Sequence, residues 1–119
     1  MPQTQNVKRY DLDERTFNFA KRVSVYVGHL SKTISNLEIG KQLVRAAGSV
    51  GANYIEAEEA LSKKDFVFRI KICRKEAKES RYWLKLSDAS TGKDEEKAVL
   101  IQEATELMKI FGAIVTKCS

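Results

Sequence analysis

Apolar positions recur at steps of three and four along almost the whole chain, the period of an amphipathic α-helix, and no stretch alternates with period two. The first series, Leu12, Thr16, Phe19, Val23, Val27, Leu30 and Ile34, follows Asp11, whose partner Glu14 three residues on completes a capping pair. The first helix is therefore predicted to begin near Asp11, with residues 1–9 a disordered tail and 10–119 a single domain. Ser35 with Glu38 opens a second helix that turns Ile39, Leu43, Ala46, Val50, Asn53, Ala57 and Leu61 inward. Ser62 with Asp65 opens a third, running to about Ser90 with Phe66, Ile70, Cys73, Ala77, Ser80 and Leu84 on one stripe. Thr91 with Asp94 opens a fourth, with Gly92 in the turn and Leu100, Ala104, Leu107, Phe111 and Ile114 inward. Four capped amphipathic helices joined by short connections predict an all-α, antiparallel up-down four-helix bundle.

The second helix sets the packing of the others. Ala46, Ala47, Gly48, Gly51 and Ala52 leave little side-chain bulk, so another backbone can come close. Asn53 falls on the apolar seam, with Arg45, Ser49 and Glu56 on the adjoining stripe, and polar groups at such places need partners. In an antiparallel pairing about the Ser62 turn, Glu76 and Glu79 of the third helix approach Ser49 and Arg45. Arg45, Ser49, Asn53, Glu56, Glu76 and Glu79 therefore form an expected structural polar network, held by carboxylates facing Arg45.

At 119 residues, with 43% hydrophobic and 31% charged positions, the chain has the composition of one globular domain. No apolar run reaches the roughly 20 residues that span a bilayer, and the polar N-terminus has no signal-peptide core, so a cytoplasmic, membrane-free protein is expected. Two cysteines, Cys73 and Cys118, do not make a disulfide framework; Cys73 lies on an apolar stripe and is expected to be a buried thiol. A metal centre in a bundle draws on Glu-x-x-His pairs, and His29, on another helix, is the only histidine. No nucleophile or phosphate loop accompanies the carboxylates. No catalytic residue, metal ligand or cofactor is expected.

Charge changes the picture more. The formal net charge is +5, and residues 63–85 hold nine basic and three acidic side chains, a net of +6, leaving 12 basic and 13 acidic residues elsewhere. Lys71, Arg74, Lys78, Arg81 and Lys85 step by three and four, with Lys75 beside them, on a face turned away from the Ile70–Leu84 seam. Such a stripe, with Tyr82 near enough to stack on a base, suits phosphate backbones of RNA or DNA. No base-reading motif accompanies it, so shape or single strands are expected targets rather than a sequence. Phe17, Val25, Tyr26, Tyr54, Phe68 and Val99 fall off the inward seams, and this apolar surplus predicts self-association.

The run from Gln42 to Phe66 and that from Arg69 to Leu84 resemble proteins encoded in intervening sequences of bacterial 23S ribosomal RNA genes, a four-helix-bundle family. That family is similar to the accessory variability determinant proteins of diversity-generating retroelements. The resemblance covers roughly Tyr10 to Ser90. It rests on a Gln-Leu-x-Arg-x-x-x-Ser stretch (Gln42, Leu43, Arg45, Ser49), an Asn-x-x-Glu pair (Asn53, Glu56) and a later glutamate (Glu79). Where many relatives carry Asn-Ile-Ala-Glu-Gly, this chain has Asn53-Tyr54-Ile55-Glu56-Ala57. The resemblance implies a basic bundle assembled into a ring-like homopentamer, with no catalytic residues to carry over. It also implies the alternative of a protein adaptor, an accessory subunit for a reverse transcriptase.

Overall fold

The computed structural model describes residues 3–118, and side chains from Leu12 to Cys118. Four helices make up the described chain: α1 (Gln3–Gly28), α2 (Ile34–Glu58), α3 (Lys63–Leu86) and α4 (Asp94–Cys118). Each helix runs antiparallel to its neighbours, as cross-helix contacts show. Arg45 meets Glu79 while Asn53 meets Arg69; Arg15 meets Glu103 while Arg22 meets Glu96. α3 lies between α2 and α4 and packs extensively on both, whereas α1 packs on α2 and only loosely on α4.

The core lies along the expected seams. Phe19, Val23, Leu43, Val50, Ile70, Leu84, Leu100, Leu107 and Phe111 are buried, each contributing about 1.5–3 kcal/mol of apolar burial. Small residues on α2 set the close approach of α1. A β-carbon added at Gly40 would stand 2.9 Å from a Val27 methyl, and one at Gly51 would stand 3.1 Å from Thr16 Oγ1. Cys73 is fully buried, its Sγ donating to the Val50 carbonyl at 3.4 Å, and burial pushes its thiol up to about 12.

Element ends differ from the sequence expectation in several places. α4 starts at Asp94, so that Thr91 does not cap it, and α1 ends at Gly28. α1 begins at Gln3, not near Asp11, since no glycine or proline from Gln3 onward stops it; residues 1–2 of the expected tail lie outside the described residues. α2 is capped by Thr33, whose hydroxyl accepts from the Asn36 amide at 3.0 Å, so Ser35 falls inside the helix and Ile34 at its start is 85% exposed. α2 ends at Glu58, and Leu61, expected inward, stands almost fully exposed in the turn that frees Ser62 to cap α3. Ser62 does cap it, accepting from the Asp65 amide at 3.0 Å.

α3 stops at Leu86 rather than near Ser90, because polar groups at the bundle end hold the chain in an extended conformation from Ser87. The Ser87 hydroxyl meets Tyr26 Oη at 2.7 Å and donates to the Leu84 carbonyl, while Lys97 Nζ donates to the Ser87 carbonyl at 2.7 Å. Buried Asn36 closes the same end, bonding both the Asp88 amide and the Asp88 carbonyl. Gly92, with φ of 84°, then turns the chain into α4 in a backbone region that other residues avoid.

Candidate nucleic-acid interface

α3 has two neighbours, so only one longitudinal band of it faces outward. At about 100° per residue, Lys71, Lys78 and Tyr82 lie close to one line, with Lys75 and Lys85 on either side. Arg74 and Arg81 lean from this band toward α4, where the Arg81 guanidinium donates to Thr105 Oγ1 at 3.4 Å. Arg74 stretches across α4 at Gly112, its side chain 3.7 Å from where a β-carbon would stand. Lys71, Arg74, Lys75, Lys78 and Lys85 are exposed, and Arg81 is half-buried.

Three arginines elsewhere on the surface are neutralised by carboxylates. Arg15 grips Glu103 with two bonds of 2.7 and 2.9 Å, and Arg22 grips Glu96 with two of 3.2 and 2.8 Å. Arg45 binds Glu76 at 3.4 Å and also Glu79. Among the described residues, none of the six cations Lys71, Arg74, Lys75, Lys78, Arg81 and Lys85 forms an ion pair with a carboxylate. Their combined field stays available to an outside anion.

The structure adds a residue the sequence stripe did not include. Lys109 of α4 is exposed, four positions after Thr105 and three before Gly112, the two α4 sites that Arg81 and Arg74 reach. It therefore faces the Lys78 region across the α3/α4 seam. Only the helix pairing register brings it there, and one helix read alone carries no signal for it. Glu106, half-buried on the adjoining stripe, accepts from Gln102 at 2.8 Å.

On the α2 side of α3, Arg45, Glu76 and Glu79 come together, and Trp83 Nε1 donates to the same Glu79 oxygen at 3.3 Å. Ser49 Oγ donates to the Arg45 carbonyl and Asn53 Nδ2 to the Ser49 carbonyl, both at 2.9 Å. Arg69, absent from the expected set, completes the row by donating to Asn53 Oδ1 at 3.2 Å. Glu56 does not join: it is exposed, and no side-chain hydrogen bond or ion pair among the described residues ties it to the row. The network sits at the rim of the seam, Arg45 being 47% exposed against 11% for Glu76.

The surplus apolar residues divide. Tyr26 and Tyr54 are buried, contrary to expectation: Tyr26 because Ser87 satisfies its hydroxyl, Tyr54 against Phe111 at 6.2 Å between ring centroids. Phe17, Val25, Phe68 and Val99 are exposed. Phe17 joins Gly48, Ala52 and Ile55 along an open apolar groove between α1 and α2. A second open groove, lined by Val27, Leu37, Gly40 and Val44, lies nearer the Leu30 end of the same helix pair. No described helix is long and apolar enough to cross a membrane.

Comparison with known proteins agrees with this architecture. A crystal structure of a protein of unknown function from the S23 ribosomal protein family of Bacteroides thetaiotaomicron superposes with a TM-score of 0.77 at 30% identity. The match covers 87% of this chain and 97% of that one. No curated protein matches the sequence. The family described as 23S rRNA-intervening sequence protein matches residues 8–113, nearly the full length of the bundle, and the chain belongs to that family.

Proposed function

We propose that this protein is a non-catalytic nucleic-acid-binding bundle that holds phosphates on the α3/α4 face and self-associates through the α1/α2 groove. One observation carries the first half: six α3 cations lie on one face without a carboxylate partner, while Arg15, Arg22 and Arg45 are all neutralised. Such a face binds phosphate backbones by releasing their counterions. α3 is flanked on both sides, so it lies along a backbone rather than inside a groove, and its contacts carry no base sequence.

The groove supports the second half. Leu37, Val44, Gly48, Ala52 and Ile55 form a stripe of α2 with little polar cover, and Phe17 is 63% exposed beside it. A second copy of this chain is the occupant we assign, in the ring-like homopentamer that the family resemblance implies. A ring repeats the cationic face and multiplies weak contacts by avidity.

Fluorescence anisotropy of a labelled oligonucleotide titrated with protein tests the reading. Replacing Lys71, Lys78 and Lys85 together by Glu should abolish binding while helicity and oligomer size persist. Retained binding by that variant would remove the α3 face from the account. Absence of binding by the natural protein, with capture of an acidic protein by the same face, would favour the adaptor role instead.

A further inference from the structure

The outward band of α3 is not uniformly cationic. Phe68 and Tyr82 are 56% and 58% exposed. They sit fourteen residues apart on the same helix, about 21 Å along its axis. Between them lie Lys71, Lys75 and Lys78; Phe68 falls toward the α2 edge of the band, and Tyr82 lies on its central line. Arg74 and Arg81 fall toward α4. The Arg69 guanidinium lies over the Phe68 ring at 5.8 Å, and Tyr82 meets Trp83 edge-on with centroids 4.9 Å apart. Both residues nonetheless keep more than half of their surface open.

Resting on the phosphate-binding reading above, we infer that this face takes single-stranded nucleic acid, with bases stacked on Phe68 and Tyr82 and the backbone tracking the cations toward α4. A cationic track beside aromatic platforms is the arrangement that binds single strands without reading their sequence, because every base offers a π-face. A duplex keeps its bases stacked on each other and gains nothing from the rings. At the roughly 3.4 Å rise per nucleotide of a stacked strand, the 21 Å between the rings spans about six nucleotides, and fewer for a stretched one.

The test is a titration with an oligothymidylate of about eight nucleotides and, separately, a hairpin duplex of equal charge. Intrinsic fluorescence of Trp83, the only tryptophan, serves as a second readout because its ring touches Tyr82. Tyr82→Leu and Phe68→Leu keep apolar bulk but remove the π-face. Each should weaken oligothymidylate binding roughly 5- to 150-fold and leave the duplex unchanged, whereas Tyr82→Phe should bind as the natural protein does. Trp83 emission should change on adding the oligothymidylate and not the hairpin. Equal losses for strand and duplex, or no loss for either, overturn the stacking assignment while leaving phosphate binding intact. Failure of the natural protein to bind either probe overturns the phosphate-binding reading itself.

Discussion

Removing the Arg45 side chain is the perturbation that most directly probes how α2 and α3 are held in register. Arg45 faces two carboxylates of unequal burial. Glu79 is 31% exposed and keeps a bond from Trp83 Nε1 at 3.3 Å, so losing its cation costs about 0.5 kcal/mol, as for other screened surface pairs. Glu76 is 11% exposed, and Arg45→Ala leaves that carboxylate with no cation and little water, a loss of about 1–3 kcal/mol. The sum is about 2 kcal/mol. At about 2.1 cal/mol/K of unfolding entropy per residue, a domain of this size then melts about 8 °C lower. Circular dichroism melts at pH 7 read the shift. Adding Glu76→Gln to Arg45→Ala removes the stranded charge and should restore about half of the loss. A melt within 1 °C of the natural protein for Arg45→Ala would refute the reasoning. So would a double variant no more stable than the single one.

Two further outcomes follow from the α1/α2 side of the molecule. Ile55→Glu places a charge in the apolar groove beside Gly48 and Ala52, and should reduce the particle seen by light scattering to a monomer without loss of helicity. An unchanged mass would refute the proposed self-association through this groove. Glu58, though exposed to solvent, is pushed up to about 7 by partial desolvation, by a side-chain hydrogen bond with Asp13 and by the charges of Asp13 and Glu59. A carboxyl held above its ordinary 4.5 stabilises the fold below that value, and the benefit is lost as pH rises to 7 and beyond. Glu58→Gln should therefore raise the melting temperature at pH 8 and leave it unchanged at pH 4. Equal shifts at both would show that the proton is not involved.

Much of this was legible in the sequence because helical period survives without tertiary information. Phe66, Ile70, Cys73, Ala77, Ser80 and Leu84 were readable as one inward stripe, and all are buried except Phe66, which is half-buried against the core. Arg45 opposite Glu76 and Glu79 follows from the antiparallel turn at Ser62 alone. What escaped was set between elements. Thr33 rather than Ser35 caps α2, a choice the Asn36 amide makes locally between two suitable side chains. α3 ends at Leu86 because Tyr26, Asn36 and Lys97, from three other helices, all bond the Ser87–Asp88 segment. Tyr54 appeared surplus because its cavity partner, Phe111, lies on the last helix. Lys109 joins the candidate face only once α4 is laid against α3 in register.

Binding of nucleic-acid phosphates by the α3 cations, as proposed above, is tested by a salt series of anisotropy titrations. With four to six phosphates engaged, log K should fall with log salt at a slope of about −3 to −4 for a single strand and about −4 to −5 for a duplex. The Lys71, Lys78 and Lys85 to Glu variant should show no binding at any salt. A natural protein that binds neither probe at 50 mM salt, or binds with a slope near zero, would contradict the claim.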